Sequence, residues 1–397
     1  MDLKNYILLA CETYPDENGG VHRYVFESAK FLAKLGHRVT IIAGAKSKFQ
    51  KLKVVDHVAI QRFILPKTRF VFLHHFIQIV AAIIILNRVK NCDCLWIHNP
   101  LFMISARCSR HRHRKIVYFF HAPIAEEFAL DAHYFRYQFS FKQSIKHEYI
   151  KLWISFNCWA EKLVVTKADA IVCLSNFMKS KLLEYYPFTK EISVIPAGID
   201  LDKFQYHDML ASRNRLNLPL NRPILLTVRR LVSRMGLLEL IESMVQIDAI
   251  LLIGGAGPLL PPMKSLIDKL NLKHKVFLLG SISDKSLPYY YSAANFFVLP
   301  TLALEGFGIV TIEAMACGLP VIGTIAGAIP EVIAPFNTDF LIPSTTPDMI
   351  AQTINKILSN RLYGSQQFRE SCRAYTKSNF SWNTLIYKLI AQSEANG

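Results

Sequence analysis

At 397 residues the chain is too long for one compact core and long enough for two domains, each with a core of its own. Half of it is hydrophobic (51%), mean hydropathy is +0.22, and the formal net charge of +16 is unevenly spread: residues 1–198 hold 28 Lys and Arg against 15 Asp and Glu, a net +13, and residues 199–397 a net +3. A basic first half predicts an anionic partner, and eight cysteines with no CxxC pair exclude a disulfide framework and point to a reducing compartment.

In chain order, Tyr6–Cys11 is an apolar run of about six residues, shorter than a signal-peptide core of ~7–15 and suited to a first buried strand. Gly19-Gly20 follow it and precede a helix, where a bare backbone lets a phosphate or sugar come close. Arg38–Ala43 reads as the next strand. Phe70–Leu86 is mostly apolar, but His74, His75 and Gln78 interrupt it, and a spanning helix needs about 20 predominantly apolar residues. A buried helix packed on a sheet is expected there, with a monotopic membrane contact as the alternative. Cys94–His98 is a strand. The basic run RCSRHRHRK, Arg107–Lys115, lacks interleaved aromatics and any nucleic-acid motif. It predicts a solvated loop or contact with an anionic membrane or lipid phosphate, and no nucleic acid. Strand Ile116–His121 ends in His121, placed to hydrogen-bond a substrate or move a proton. Ala170–Leu174 is the last strand of this half.

After VIPAGIDLDKF (194–204) the pattern starts again, with strands at Ile224–Val228, Ala249–Ile253, Val276–Leu279, Phe296–Pro300 and Pro320–Gly323. Alternation of short apolar runs with helix-like segments is the mark of a doubly wound parallel sheet, and it occurs twice. The prediction is an α/β chain of two Rossmann-like domains, 1–196 and 197–378, with a cleft between them. A closing amphipathic helix is expected in 379–397, where Trp382, Leu385, Ile386, Leu389 and Ile390 recur at helical spacing. Ligands of such sheets bind at the carboxyl ends of strands.

The stretch EGFGIVTIEAMACGLPVI (305–322) places Glu305 in a glycine turn, a helix N-terminus at Ile309, and Glu313 about two turns on. The bare turn and the free N–H groups of the helix suit a pyrophosphate, and the two carboxylates suit sugar and ribose hydroxyls. Arg229-Arg230 follow strand Ile224–Val228 and are sited to grip phosphate bidentately. In GGAGP (254–258), Gly255 and Gly257 follow a buried strand and allow close approach.

Taken together these stretches resemble the GT-B glycosyltransferases of family 4, the group often labelled glycosyl transferases group 1. The resemblance covers nearly the whole chain, in the family's order: Gly19-Gly20, His121, VCLSNFMKSKL at 172–182, IPAGID at 195–200, RRL with Gly236, GGAGP, the paired glutamates, and GAIPE at 327–331. It implies a retaining hexosyltransferase that moves a sugar from a UDP- or GDP-sugar to a lipid-linked or saccharide acceptor, as in bacterial polysaccharide synthesis. By family position Arg230 holds the donor diphosphate, Glu305 faces the transferred sugar, and Gly306, Phe307, Gly308 and Ile309 supply backbone contacts. Glu313 takes the ribose, Gly19 and Gly20 lie near the diphosphate, and His121 lies beside the reacting sugar. Where the family has Lys before Gly236 this chain has Met235, with Arg234 one residue earlier as the replacement cation. The resemblance implies no metal and no cofactor beyond the donor, so the Asp200-Leu201-Asp202 string is expected to be a helix cap. The implied location is cytoplasmic, peripheral on the cytoplasmic face of the membrane. A nucleotide-sugar epimerase of the same fold and a non-catalytic membrane-surface protein are the competing readings.

Overall fold

The computed structural model describes residues 2–10, 19–45, 53–64, 71–127, 130, 143–187 and 190–394. Cys11 and Phe70, at the ends of two predicted segments, and residues 395–397 of the predicted closing helix lie outside them. The chain divides into two compact units, residues 1–198 with 382–397, and residues 199–381.

The first unit is built on an eight-stranded sheet. Its strands are β1 (Asn5–Ala10), β2 (Arg38–Ala45), β3 (Lys53–Val55), β4 (Val58–Ile64), β5 (Cys94–Ile97), β6 (Lys115–Phe120), β7 (Ala170–Cys173) and β8 (Ile192–Val194), in the order β3-β4-β2-β1-β5-β6-β7-β8. All pairs are parallel except β3 with β4. That antiparallel edge was not predicted. Asp56-His57 joins the two strands with φ of 49° and 66°, the twist of a two-residue hairpin turn, built here without glycine. The predicted strands all form, each within one or two residues of its expected ends. The inner strands are apolar on both faces because helices cover both.

The second unit holds a six-stranded parallel sheet: β9 (Ile224–Val228), β10 (Ile250–Gly254), β11 (Val276–Gly280), β12 (Phe296–Leu299), β13 (Val321–Thr324) and β14 (Leu341–Ile342). Its order, β11-β10-β9-β12-β13-β14, reverses direction between β9 and β12. The first sheet has the equivalent reversal between β1 and β5. Loops on either side of such a point diverge and leave room for a ligand at the strands' carboxyl ends.

The closing helix is Trp382–Glu394, and it belongs to the first unit rather than standing apart. The Trp96 Nε1–H donates to Ser393 Oγ at 2.9 Å, Lys4 pairs with Glu394 at 2.7 Å, and the Trp382 indole packs against Tyr24 and Phe31. Asp200 Oδ1 accepts from the backbone N–H groups of Asp202 and Lys203, so the DxD string caps a turn where a helix cap was expected. Trp382 is 1% exposed. Trp382→Ala is expected to cost about 3–5 kcal/mol by leaving a cavity under the closing helix, read as a lower melting temperature of the first unit.

Candidate functional site

Each reversal point collects polar side chains. In the second unit, β9 ends at Arg229 and β12 runs into the turn holding Thr301 and Glu305. The Arg229 guanidinium donates through Nη2 to Glu305 Oε2 at 2.6 Å and through Nη1 to Thr301 Oγ1 at 2.8 Å. The Arg229 side chain is 5% exposed and that of Glu305 15%. Burial pulls the Arg229 pKa down, and the Glu305 carboxylate opposes that shift. Arg230 and Arg234 also act on Arg229 as like charges. Three arginines therefore lie close together here, and Arg229 pairs with the Glu305 carboxylate.

The turn is fixed by its backbone. Arg234 is buried and its Nη1 donates to the Leu304 carbonyl at 2.8 Å. Leu304 itself sits at φ 53°, a left-handed conformation that costs a leucine strain. The Glu305 carbonyl accepts from Ala328 N–H at 2.9 Å. A Cβ on Gly327 would meet the Glu305 carbonyl oxygen at 2.3 Å, so only glycine lets the GAIPE segment lie against this turn. Gly308, at φ 78°, is the N-cap of helix Ile309–Ala316, whose first turn holds no acidic side chain and no side-chain cap. No side chain caps the N–H groups of its first turn, and its positive dipole end lies beside the arginines.

The structure places the other predicted residues as follows. Arg230 is solvent-exposed beside Arg229. Gly255 lies against the Arg229 backbone, and Gly257 against that of Leu231. Phe307 is buried edge-on to Phe380. Met235 is buried and apolar, as a residue of the core. Glu313 is 1% exposed and accepts a hydrogen bond from Tyr291 Oη at 2.9 Å, so one of its oxygens is already engaged rather than open at a pocket wall. Sequence reading missed Arg229 as the partner of Glu305, because 76 positions separate them and nothing in either local motif signals the pairing.

In the first unit, Gly20 opens helix Gly20–Lys34 with Gly19 as its N-cap, next to β1. His98 and His121 follow the ends of β5 and β6. Their rings stack at 5.4 Å, and His98 Nδ1 lies 3.2 Å from His121 Nε2. Tyr24 meets both rings edge-on. His98, the unpredicted member, is buried and its Nε2 has no hydrogen-bond partner. An unpaired lone pair costs less there than an unpaired N–H, which assigns the proton to His98 Nδ1 and makes His121 Nε2 the acceptor. Burial, and then the charge of His22, lowers the His121 pKa to about 4, while burial and then His121 hold His98 well below the ordinary histidine range. Both imidazoles are neutral at neutral pH. Glu161, also unpredicted, is buried against Tyr186 Oη at 2.8 Å, and desolvation raises its pKa to about 7.

Comparison with known proteins agrees with this geometry. Residues 208–379 match the family model described as Glycosyl transferases group 1, and residues 18–203 match Glycosyltransferase Family 4. A GDP-mannose-dependent alpha-(1-6)-phosphatidylinositol monomannoside mannosyltransferase of Mycolicibacterium smegmatis is 27% identical over 229 residues, 55% of this chain and 60% of that protein. The chain therefore matches under two thirds of the length of that relative. Among solved structures, sucrose-phosphate synthase from Thermosynechococcus elongatus superposes with a TM-score of 0.82 at 22% identity, covering 98% of each chain. Anabaena HepE in complex with UDP and glucose gives 0.76 at 18% identity, covering 99% of this chain and 100% of the other. These likenesses establish the GT-B fold.

Two outcomes follow from the geometry. Arg229→Ala leaves Glu305 without its charge partner in a largely buried turn and is expected to cost about 3–5 kcal/mol, measured as a fall in the melting temperature of the second unit. The first unit should lose stability as pH falls from about 6.5 to about 4, because unfolding frees His121 and His98 to take up protons that the folded site resists, two histidines outweighing the single Glu161, whose raised pKa works in the opposite sense. A pH series of melting curves should show this slope, and His121→Asn should flatten it.

Proposed function

The chain belongs to the group 1, family 4 glycosyltransferases of GT-B fold, and from that premise we propose that it is a retaining hexosyltransferase using a UDP- or GDP-sugar and a lipid-linked or saccharide acceptor. The observation that carries this reading is the Arg229–Glu305 ion pair, with Arg230 and Arg234 close by, at the N-terminus of a helix that no side chain caps. In the proposed reaction the donor diphosphate lies at the N-terminus of helix Ile309–Ala316. Arg230 and Arg234 take its charge, and backbone groups of Gly306, Phe307, Gly308 and Ile309 approach it. As the glycosidic bond to the diphosphate breaks, negative charge grows on the leaving oxygen, and preorganised cations and dipoles stabilise that charge without a divalent metal. Arg229 orients Glu305, whose carboxylate contacts the transferred sugar. Glu313 accepts from the ribose hydroxyls alongside Tyr291. His121, neutral at working pH, acts as a hydrogen-bonding group to the sugar rather than as a cation.

The printed names of the similar mannosyltransferases favour a GDP-linked hexose and a lipid-carried acceptor, and the Anabaena complex keeps UDP in view. The test is a panel of nucleotide sugars incubated with and without acceptors. Transfer predicts nucleoside diphosphate released in proportion to glycosylated product, and conversion of the nucleotide sugar to its epimer without acceptor and without net diphosphate release counts for the epimerase reading.

Glu305→Gln is expected to slow transfer on the order of 10²–10³-fold. Its melting temperature is measured alongside, since the same change removes the partner of Arg229. Arg230→Ala is expected to weaken donor and free nucleoside diphosphate alike, about 10- to 100-fold by titration calorimetry, because it gives up a charge-assisted hydrogen bond to the group they share.

A further inference from the structure

The first unit carries an exposed apolar surface that its fold does not use. Helix Val71–Arg88 has no acidic residue and is apolar on both faces. Its inner face, with Gln78, Ala82 and Leu86, is buried. Its outer face presents Leu73, Phe76 and Ile84, and Phe76 is 63% exposed. A helix that is apolar all round is ordinarily enclosed, so an open apolar face calls for a partner.

A second helix extends the surface. Trp153 Nε1–H donates to His75 Nε2 at 2.6 Å, which joins helix Gln143–Lys167 to the first. Leu152 and Phe76, each next in sequence to one member of that contact, are both exposed, and Trp159 is 53% exposed with Phe156 stacked on it. The other exposed positions on 151–167 are Lys151, Ser155, Lys162, Thr166 and Lys167, and the single acid in that stretch, Glu161, is buried.

Charge is gathered at one end. The turn 108–114 is pinned across the C-terminal ends of both helices: Asn87 Oδ1 accepts from Arg110 N–H at 2.7 Å, His111 Nε2 meets the Val89 carbonyl at 2.9 Å, and Arg107 donates to the Lys167 carbonyl at 2.9 Å. Arg107 and His111 are thereby spent on structure, whereas Arg110, Arg112 and Arg114 stay exposed. The basic run is a structural turn and a charged rim at once.

We propose that this pair of helices docks on an anionic phospholipid surface, with Leu73, Phe76, Ile84, Leu152 and Trp159 entering the interface and Arg110, Arg112 and Arg114 meeting the headgroups. Exposed Trp, Phe and Leu beside Arg and Lys, with no acid on helix Val71–Arg88 and none exposed over residues 151–167, complement a bilayer that is apolar below and negative above. No helix among the described residues is long and apolar enough to span, so the contact lies in the plane of the interface. The proposal rests on the transferase reading for its purpose, the delivery of a lipid-carried acceptor, but not for its test.

The full chain is sedimented with vesicles of phosphatidylcholine alone and of phosphatidylcholine with phosphatidylglycerol, without any nucleotide sugar, so that failure here leaves the transferase reading standing. Binding is expected only to the anionic vesicles, falling with added salt. The triple change Arg110→Ser, Arg112→Ser, Arg114→Ser should weaken it on the order of 100-fold. Phe76→Ser with Trp159→Ser should weaken it about tenfold or more with unchanged melting temperature, since both side chains are already in solvent, and Trp159 fluorescence should shift to the blue on binding, a shift absent from Trp159→Phe. Equal binding to neutral and anionic vesicles, or full binding by the Phe76/Trp159 variant, overturns the proposal. Concentration-dependent self-association with no vesicle binding also overturns it, and would make a second copy of the chain the occupant.

Discussion

A buried ion pair of 2.6 Å between Arg229 and Glu305 organises the carboxyl end of the second sheet. A guanidinium this deeply enclosed is tolerable only with a carboxylate against it, and the carboxylate stays in place only if its turn cannot relax. The surrounding chain supplies that rigidity. Leu304 is held in a left-handed conformation, Arg234 grips its carbonyl, and Gly327 lets a neighbouring segment close on the Glu305 backbone. Strain and close approach concentrated in a few residues between β12 and a helix N-terminus are the expense of a preorganised site.

In the proposed reading, the cations beside this bridge make it a receptor for an anion. The Glu305 carboxylate pairs with Arg229, and Arg230 and Arg234 add positive charge beside it. Met235 is buried, and Arg234, one position earlier, places its guanidinium on the Leu304 carbonyl. The first unit shows the opposite logic. His98 and His121 are stacked, buried and neutral, so that end of the first sheet offers hydrogen bonds rather than charge.

The inner strands of both sheets were legible because each is a short apolar run between turn residues. Four strands were not: β3 has only three residues, β4 is broken by Gln61-Arg62, the two turn at Asp56-His57, which lacks the usual glycine, and β8 and β14 are too short to stand out. The strand-end positions of His121 and Glu305 could be read, since reversal of a doubly wound sheet puts strand ends where ligands bind. Their partners could not. His98 lies 23 positions from His121 and Arg229 lies 76 from Glu305, and such pairings exist only after the strands are ordered. Glu313 shows the limit in the other direction. Helical spacing placed it two turns from Glu305, but gave no sign that Tyr291 would claim one of its oxygens.

The central claim is that the glycine turn and helix N-terminus beside Glu305 receive the diphosphate of a nucleotide sugar. Hydrogen exchange at the amides of Phe307 to Val310, compared without ligand and with saturating GDP or UDP, tests it most directly, because those N–H groups line the glycine turn and the uncapped start of the helix and would be the donors. Marked slowing at these amides with whichever nucleotide binds is the result expected. Binding of a nucleoside diphosphate that leaves exchange there unchanged would contradict the account.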